Sequence, residues 1–181
     1  MKKSKISIFV VALSLFTAGT IFTINSCKKD PCKDEKCNDV GTPSADGDKC
    51  KCACNAGYEG EKCETKMVTK FVGSYNVTDN CTSSGTYPIT ITASSSTVDK
   101  ILISTFGTYG CAGSYPTVEA TVNGNDITIA SQSFCTSDAY TVSGSGSMNA
   151  SGTSLSISYN GTKPPSMSGG SYSCTATCAK Q

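Results

Sequence analysis

Eight short runs of alternating apolar and hydroxyl-bearing side chains fill most of the sequence from Lys70 onward. Successive side chains of a β-strand point to opposite faces, so such a run predicts a strand with one buried and one solvated face. Segments rich in Gly, Ser and Asn separate the runs, and the region has no helical periodicity of useful length. The alternation therefore predicts an all-β domain with eight strands, at residues 71–78, 87–93, 100–106, 116–122, 126–131, 139–147, 154–159 and 171–179.

The apolar positions of these runs predict the inner face of an antiparallel sheet. One connection carries a specific signal, because Asn123-Gly124 is a typical two-residue hairpin turn. Half-apolar strands that follow one another in sequence suit an up-and-down β-barrel or a β-sandwich. The predicted inward residues are Ile89, Ile91, Ile101, Ile103, Val118, Ala120, Val122, Ile127, Ile129, Tyr140, Val142, Leu155, Ile157, Tyr172, Cys174 and Ala176.

The cysteines of this domain favour the barrel over the sandwich. In an up-and-down barrel the first and last strands are antiparallel neighbours, which brings Cys81 close to Cys174. A hairpin that turns at residues 123–124 also places Cys111 and Cys135 at the same open end. We expect both disulfides. Cys178 is left as a buried thiol or as an alternative partner of Cys81.

The start of the domain reads Phe71-Val72-Gly73-Ser74-Tyr75. This stretch resembles the Gly-x-Trp opening of lipocalin-like barrels, with a tyrosine in place of the tryptophan. The resemblance implies a calycin-type barrel.

A shorter segment before this domain, residues 32–64, contains six cysteines. A segment of this size cannot bury a sufficient hydrophobic core and needs disulfide bonds or a metal ion to stabilise it. Closely spaced thiolates also bind zinc, but zinc sites favour ligand pairs about two to four residues apart. An even number of cysteines in an exported chain favours disulfides, so we expect no metal. The six are Cys32, Cys37, Cys50, Cys52, Cys54 and Cys63.

The second half of this segment, CACNAGYEGEKCE from Cys52 to Glu64, resembles the end of an EGF-like module. In that family the signature is C-x-C, two residues, Gly-aromatic, x-Gly, two residues and Cys. The resemblance implies a first-to-third, second-to-fourth and fifth-to-sixth pairing. Cys50 departs from the family pattern, since it lies only two residues before Cys52. The implied disulfides are Cys32–Cys50, Cys37–Cys52 and Cys54–Cys63.

Three other residues of the signature have structural roles. Gly57 and Gly60 supply the positive-φ turns that a tight final loop needs. Tyr58 is expected to be a packing residue in a module that has few other apolar side chains.

The N-terminus has the pattern of an export signal. Lys2, Lys3 and Lys5 precede the uncharged run 6–24. The sequence Ile24-Asn25-Ser26-Cys27 is similar to the lipobox of bacterial lipoproteins, although Asn25 departs from the usual small or apolar residue. The resemblance implies cleavage before Cys27, lipidation of that cysteine and stable membrane anchoring. An ordinary signal peptide with Cys27 in a disulfide, and an uncleaved anchor, are the alternatives.

These observations predict five segments. They are a signal peptide at 1–26, a lipidated tether at 27–31, an EGF-like module at 32–64, an exposed linker at 65–69 and the β-barrel at 70–181. Lys28 follows the expected lipidation site in place of an acid, which in the lipoprotein family favours the outer membrane of a Gram-negative bacterium. The periplasmic side and the cell surface are both open as locations.

The composition excludes several classes of function. The chain has no histidine and no arginine, so it lacks Ser-His and Cys-His pairs and bidentate phosphate contacts. Its 15 lysines against 14 acidic residues leave no basic excess for nucleic acid. The few carboxylates of the β-domain lie at predicted strand ends or turns, where we expect them to be solvated and not paired for acid-base catalysis. They are Asp79, Asp99, Glu119, Asp126 and Asp138.

We therefore expect a non-catalytic lipoprotein of the outer membrane or cell surface, with no cofactor. It would present its β-domain on the EGF-like spacer to a protein or glycan partner. The alternative function is a lipocalin-like carrier of a small apolar ligand in the cell envelope.

Overall fold

The fold is all-β, with two small hairpin-like sheets followed by a closed eight-stranded barrel. The computed structural model describes residues 30–81, 85–108, 117–133, 140–163 and 169–181. The expected lipidation at Cys27, the expected disulfide Cys111–Cys135 and Asp138 lie outside these ranges. Within them, no helix has the length and hydropathy of a membrane span.

The strands are β1 Gly41–Asp46, β2 Lys49–Cys54, β3 Tyr58–Glu59, β4 Thr65–Lys66, β5 Gly73–Asp79, β6 Thr86–Ala93, β7 Lys100–Ser104, β8 Thr117–Asn123, β9 Asp126–Ser133, β10 Thr141–Met148, β11 Ser154–Thr162 and β12 Ser171–Lys180.

Strands β5 to β12 form the barrel, in which each strand pairs antiparallel with its neighbours in sequence. The last strand pairs with the first, with Ala176 opposite Asp79 and Lys180 opposite Tyr75. This closure confirms the predicted up-and-down barrel and excludes the sandwich. The disulfide Cys81–Cys174, with a Cα–Cα distance of 5.6 Å, joins the end of β5 to β12.

The two ends of the barrel differ in their connections. We call the end at which β5, β7, β9 and β11 finish the mouth, and the opposite end the turn end. Residues 94–99, 124–125 and 149–153 connect the strands at the turn end. The longest interstrand segment of the sequence, 105–116, begins and ends at the mouth.

The β8–β9 hairpin differs from its prediction by one residue. Asn123 pairs with Asp126, so the turn residues are Gly124 and Asn125 and not the predicted 123 and 124. The backbone explains the shift: Gly124 has a φ of 61° at the first turn position, where a type II′ turn favours glycine. Asn123 then continues the strand.

The predicted inner face is confirmed, and the barrel interior is a single cluster of buried side chains. An eight-stranded barrel is just wide enough for side chains to fill it. Of the predicted inward residues, only Tyr172 is partly exposed. Further large side chains share the interior, and Cys178 is a buried free thiol. The additional buried residues include Val68, Phe71, Tyr75, Val77, Tyr87, Phe106 and Tyr159.

The cysteine-rich segment is a β1–β2 hairpin and a small β3–β4 sheet, joined by three disulfides. The disulfides are Cys32–Cys50, Cys37–Cys52 and Cys54–Cys63, the pairs that the sequence resemblance implies. Gly57 and Gly60 have φ values of 85° and 105°, which glycine adopts without strain. Tyr58 is half-buried.

Residues 65–69 do not form the exposed linker that we expect from the sequence. Thr65 and Lys66 form β4, and a 3-10 turn follows at Met67–Lys70. Val68 is only 3% exposed and belongs to the barrel core, because an apolar side chain at this point can cover the turn end of the barrel. Pro31–Gln181 therefore form one compact unit.

Polar contacts join the cysteine-rich segment to the turn end. The Lys70 ammonium lies 2.8 Å from Glu59 of β3 and donates a hydrogen bond to the Asn125 side chain at 3.0 Å. Gly57 lies close to the β6–β7 connection, since a Cβ atom there would come within 2.8 Å of Val98 Cγ1. The segment is thus packed on the barrel end that lies opposite the mouth.

The disulfide Cys81–Cys174 should make a large contribution to stability. It closes a loop with a sequence separation of 93 residues, for which chain entropy in the unfolded state predicts about 4 to 5 kcal/mol. We expect Cys81→Ala/Cys174→Ala to lower the free energy of unfolding by roughly this amount in urea titrations. Cys178→Ala is the control, since it removes a buried sulfur and leaves the disulfide in place. A double variant as stable as this control would contradict the prediction.

Candidate functional site

Asp79, the last residue of β5, points into the barrel. The residue is 8% exposed, so the expectation of a solvated carboxylate is wrong at this position. The reason is the strand period: Tyr75, Val77 and Asp79 follow at two-residue intervals on one face. The alternation that predicted the strands thus also contained the signal for a buried Asp79, and a reading based on residue type alone missed it.

Three donors satisfy the Asp79 carboxylate. Its Oδ2 atom accepts hydrogen bonds from the Tyr87 hydroxyl at 2.7 Å and from the Tyr159 hydroxyl at 3.0 Å. Its Oδ1 atom accepts one from the Cys81 backbone N–H at 2.9 Å. Because buried charges are tolerated only with such partners, these groups explain how the barrel accommodates a carboxylate. We call Asp79, Tyr87 and Tyr159 the carboxylate–phenol cluster.

An aromatic layer surrounds the cluster. The Phe106 ring lies 4.7 Å from the Tyr159 ring between centroids, and the Tyr172 ring lies 6.2 Å from Tyr159 in an edge-on arrangement. The Tyr87 hydroxyl also accepts a hydrogen bond from the Gly107 N–H at 3.2 Å. The cluster and this layer therefore bring together residues of β5, β6, β11, β12 and the segment that follows β7.

Glycines make room for these rings. A Cβ atom at Gly161 would clash with the Tyr172 hydroxyl oxygen, and one at Gly144 would lie 2.9 Å from the Tyr159 Cβ atom. The Tyr172 hydroxyl donates a hydrogen bond to the Thr141 carbonyl oxygen at 2.7 Å. Small residues on β10 and β11 thus compensate for large ones that face the same space.

Burial raises the pKa of three acidic groups in the barrel interior. Burial, together with the hydrogen bond to Asp79, raises the pKa of Tyr87. Burial, and then the negative charge of Asp79, raises the pKa of Cys178 to about 12. Burial is also the main cause that raises the pKa of Tyr75 to about 12. Tyr87 can therefore donate to the carboxylate, and Cys178 is not a reactive thiolate.

The other predicted carboxylates do not join this cluster. Glu119 pairs with Lys100 on the outer surface at 2.5 Å. Asp126 is exposed beside the β8–β9 turn, and Asp99 is half-buried at the turn end. Among the described residues, no group of three or more Cys, Asp or Glu side chains is arranged to hold a metal ion. Of the carboxylates that the structure describes, Asp79 is thus the one that is buried in the barrel.

No protein family model matches the chain, and no curated protein matches it either. A solved structure of a redesigned β-barrel is similar to 64% of this chain, over 95% of its own length, with 15% sequence identity and a TM-score of 0.43.

Asp79→Asn should destabilise the protein. The amide keeps the shape of the side chain but replaces one acceptor oxygen with a donor that faces hydroxyl groups. We expect a loss of about 1 to 3 kcal/mol, the usual effect of leaving buried polar groups imperfectly paired. Urea unfolding would measure it, with the exposed Asp126→Asn as a control that changes little. Equal stability of the two variants would show that the buried carboxylate is not a stabilising centre.

Stability should fall in alkali because of Cys178. Its pKa is about 12 in the folded protein against an ordinary value of 9.0, so the unfolded chain loses this proton first. The contribution is complete below pH 9 and declines as pH rises towards 12, with a slope of at most about 1.4 kcal/mol per pH unit. Tyr75 acts in the same direction above its ordinary pKa of 10.0. Unfolding free energies measured from pH 7 to 10.5 should decline less steeply for Cys178→Ala, and parallel curves would refute this assignment.

Proposed function

We propose that the protein is a non-catalytic lipoprotein of the bacterial outer membrane, which holds its barrel mouth towards a protein or glycan partner. The observation that carries the proposal is the order of parts along the chain. The lipobox-like Cys27 precedes the cysteine-rich segment in sequence, and that segment packs on the turn end of the barrel through Lys70 and Glu59. The mouth is the end opposite this attachment.

The cysteine-rich segment supports the proposal as an EGF-like spacer. Its disulfides follow the first-to-third, second-to-fourth and fifth-to-sixth pattern. Gly57 and Gly60 take positive φ values in the final loop, as the resemblance implies. Three disulfides in a short segment also suit an oxidising compartment outside the cytoplasm.

The contacts at the turn end favour a rigid spacer over a flexible one. The Met67 N–H donates a hydrogen bond to the Gly57 carbonyl oxygen at 2.8 Å, and the Met67 sulfur lies 3.2 Å from the Gly124 nitrogen. Lys70 is held by Glu59 and Asn125 at once. A spacer fixed in this way presents the mouth in one orientation, which reduces the entropy lost when a partner binds.

The carrier function ranks second. Lipocalin-like carriers need an internal cavity, whereas here bulky side chains occupy the barrel interior. Tyr75, Tyr159, Phe71 and Phe106 are all 2% exposed or less. This packing favours interaction through the outer surface and the mouth over storage of an apolar ligand inside.

The anchor can be tested by metabolic labelling of the host with an alkyne-tagged palmitate. We expect the full-length protein to take up the label and to fractionate with outer membranes. Cys27→Ala should abolish labelling and release the protein, because it lacks the acceptor sulfur. Cys178→Ala is the matched control, since it removes a cysteine within the barrel and should keep the label. An unlabelled wild-type protein would contradict the anchor.

Surface presentation needs a separate measurement. Trypsin added to intact cells should cleave the protein at its lysines if the barrel faces outward. If cleavage required cell lysis, the membrane anchor could stand but the surface location would be wrong.

A further inference from the structure

The free edge of β2, in the cysteine-rich segment, carries backbone groups that the fold leaves unused. In an antiparallel pair, opposite residues alternate between those that exchange hydrogen bonds and those whose N–H and C=O groups point away from each other. Just beyond the end of β2, the Asn55 N–H donates to the Val40 carbonyl oxygen at 2.8 Å. The hairpin register then directs the N–H and C=O groups of Cys50 and Cys52 away from β1. Within the described ranges, β2 pairs with β1 alone, and no turn or loop group hydrogen-bonds to these atoms.

The two edges of this hairpin differ. Pro43 lies opposite Cys52, so it occupies a position of β1 whose nitrogen points outward, and proline has no N–H to donate. Proline at an edge is a common means of blocking strand addition. The outward positions of β2 are cysteines, which keep their backbone donors. The hairpin is therefore protected on the edge of β1 and open on the edge of β2.

A groove of about 530 Å³ follows β2. It is lined by Cys50, Lys51 and Cys52 of the strand, and by Glu35 and residues 60–62 from elsewhere in the cysteine-rich segment. This volume is in the range of ligand-binding sites in proteins. The residues that line it all belong to the part of the chain that the structure describes. The unused backbone groups of β2 thus have space beside them.

The charged side chains that line the groove are paired, except for Glu61. Lys51 forms an ion pair with Asp46, and Lys62 forms one with Glu35. Glu61 is exposed and forms no ion pair with any other described residue. A ligand with a lysine or arginine side chain would compensate this carboxylate, whereas an acidic ligand would be repelled by it.

We propose that the groove binds an extended peptide segment of a partner protein, which adds to β2 as a third strand. Strand addition takes its affinity from main-chain hydrogen bonds and its specificity from side-chain contacts. The backbone groups of Cys50 and Cys52 provide the hydrogen bonds, and Glu61 selects a basic side chain. This surface is distinct from the barrel mouth. The inference depends neither on the lipid anchor nor on the location of the protein.

Selection from a library of random eight-residue peptides on the full chain provides the probe. We expect enriched peptides with a lysine or arginine among β-branched residues, and a synthetic copy that binds one-to-one in calorimetric titration. Glu61→Lys should weaken binding of this peptide by about tenfold or more. Asp126→Lys, which reverses an exposed charge on the barrel, is the matched control and should bind as the wild type does. Failure to enrich any peptide, or equal binding by Glu61→Lys, would overturn the proposal.

The main-chain hydrogen bonds can be tested separately on the wild-type protein. Alternate N–H groups of an added strand face β2, so N-methylation at these positions should weaken binding by about tenfold or more. N-methylation at the intervening positions should have little effect, and equal effects of the two patterns would contradict strand addition. The amides of Cys50 and Cys52 should exchange rapidly in the free protein and become protected when the peptide binds. Protection that instead rises with protein concentration alone would identify a second copy of the chain as the occupant and overturn the proposal.

Discussion

The pairing of β12 with β5 is the constraint on which the rest of the structure depends. It joins strands that lie far apart in sequence, with Ala176 opposite Asp79 at the mouth and Lys180 opposite Tyr75 at the turn end. Without it the sheet would have two open edges and its apolar face would be exposed on a curved, unclosed surface. The Cys81–Cys174 disulfide lies beside this seam and makes the long-range pairing less costly in entropy. Closure thus creates the interior in which all buried side chains meet.

Most of the barrel follows from the two-residue period of the sequence. Every predicted strand in the described residues is present, because the alternation of Ile, Val and Leu with Ser and Thr fixes which face is buried. The first and last strands could also be paired correctly, since closure of an up-and-down meander leaves them no other neighbour. Two local predictions were wrong. The β8–β9 turn lies one residue later than predicted, because Gly124 takes the first turn position. The expected linker is part of the core, because Val68 is buried against the barrel.

The candidate site was much less predictable than the fold. Asp79 is one acidic residue at a strand end, a place where solvated carboxylates are common. Its partners Tyr87 and Tyr159 come from strands that meet it only after the barrel closes, and no short motif connects them. Neighbouring glycines such as Gly161 have a role only when the Tyr172 ring is placed against them. Sequence period could have placed Asp79 inside, but its hydrogen-bond partners required the three-dimensional register.

Asp79 occupies a position at which an apolar residue would be the simpler choice for stability. An apolar residue at the end of β5 would continue the face of Tyr75 and Val77 without a desolvation penalty. The chain instead has a carboxylate there, with phenols that satisfy it, and Thr105 next to the buried Phe106 has a strained φ of 58°. Stable folds break local rules mainly where a site requires it. Two such departures lie close together at the mouth end of the barrel, beside the rings of Tyr87 and Tyr159.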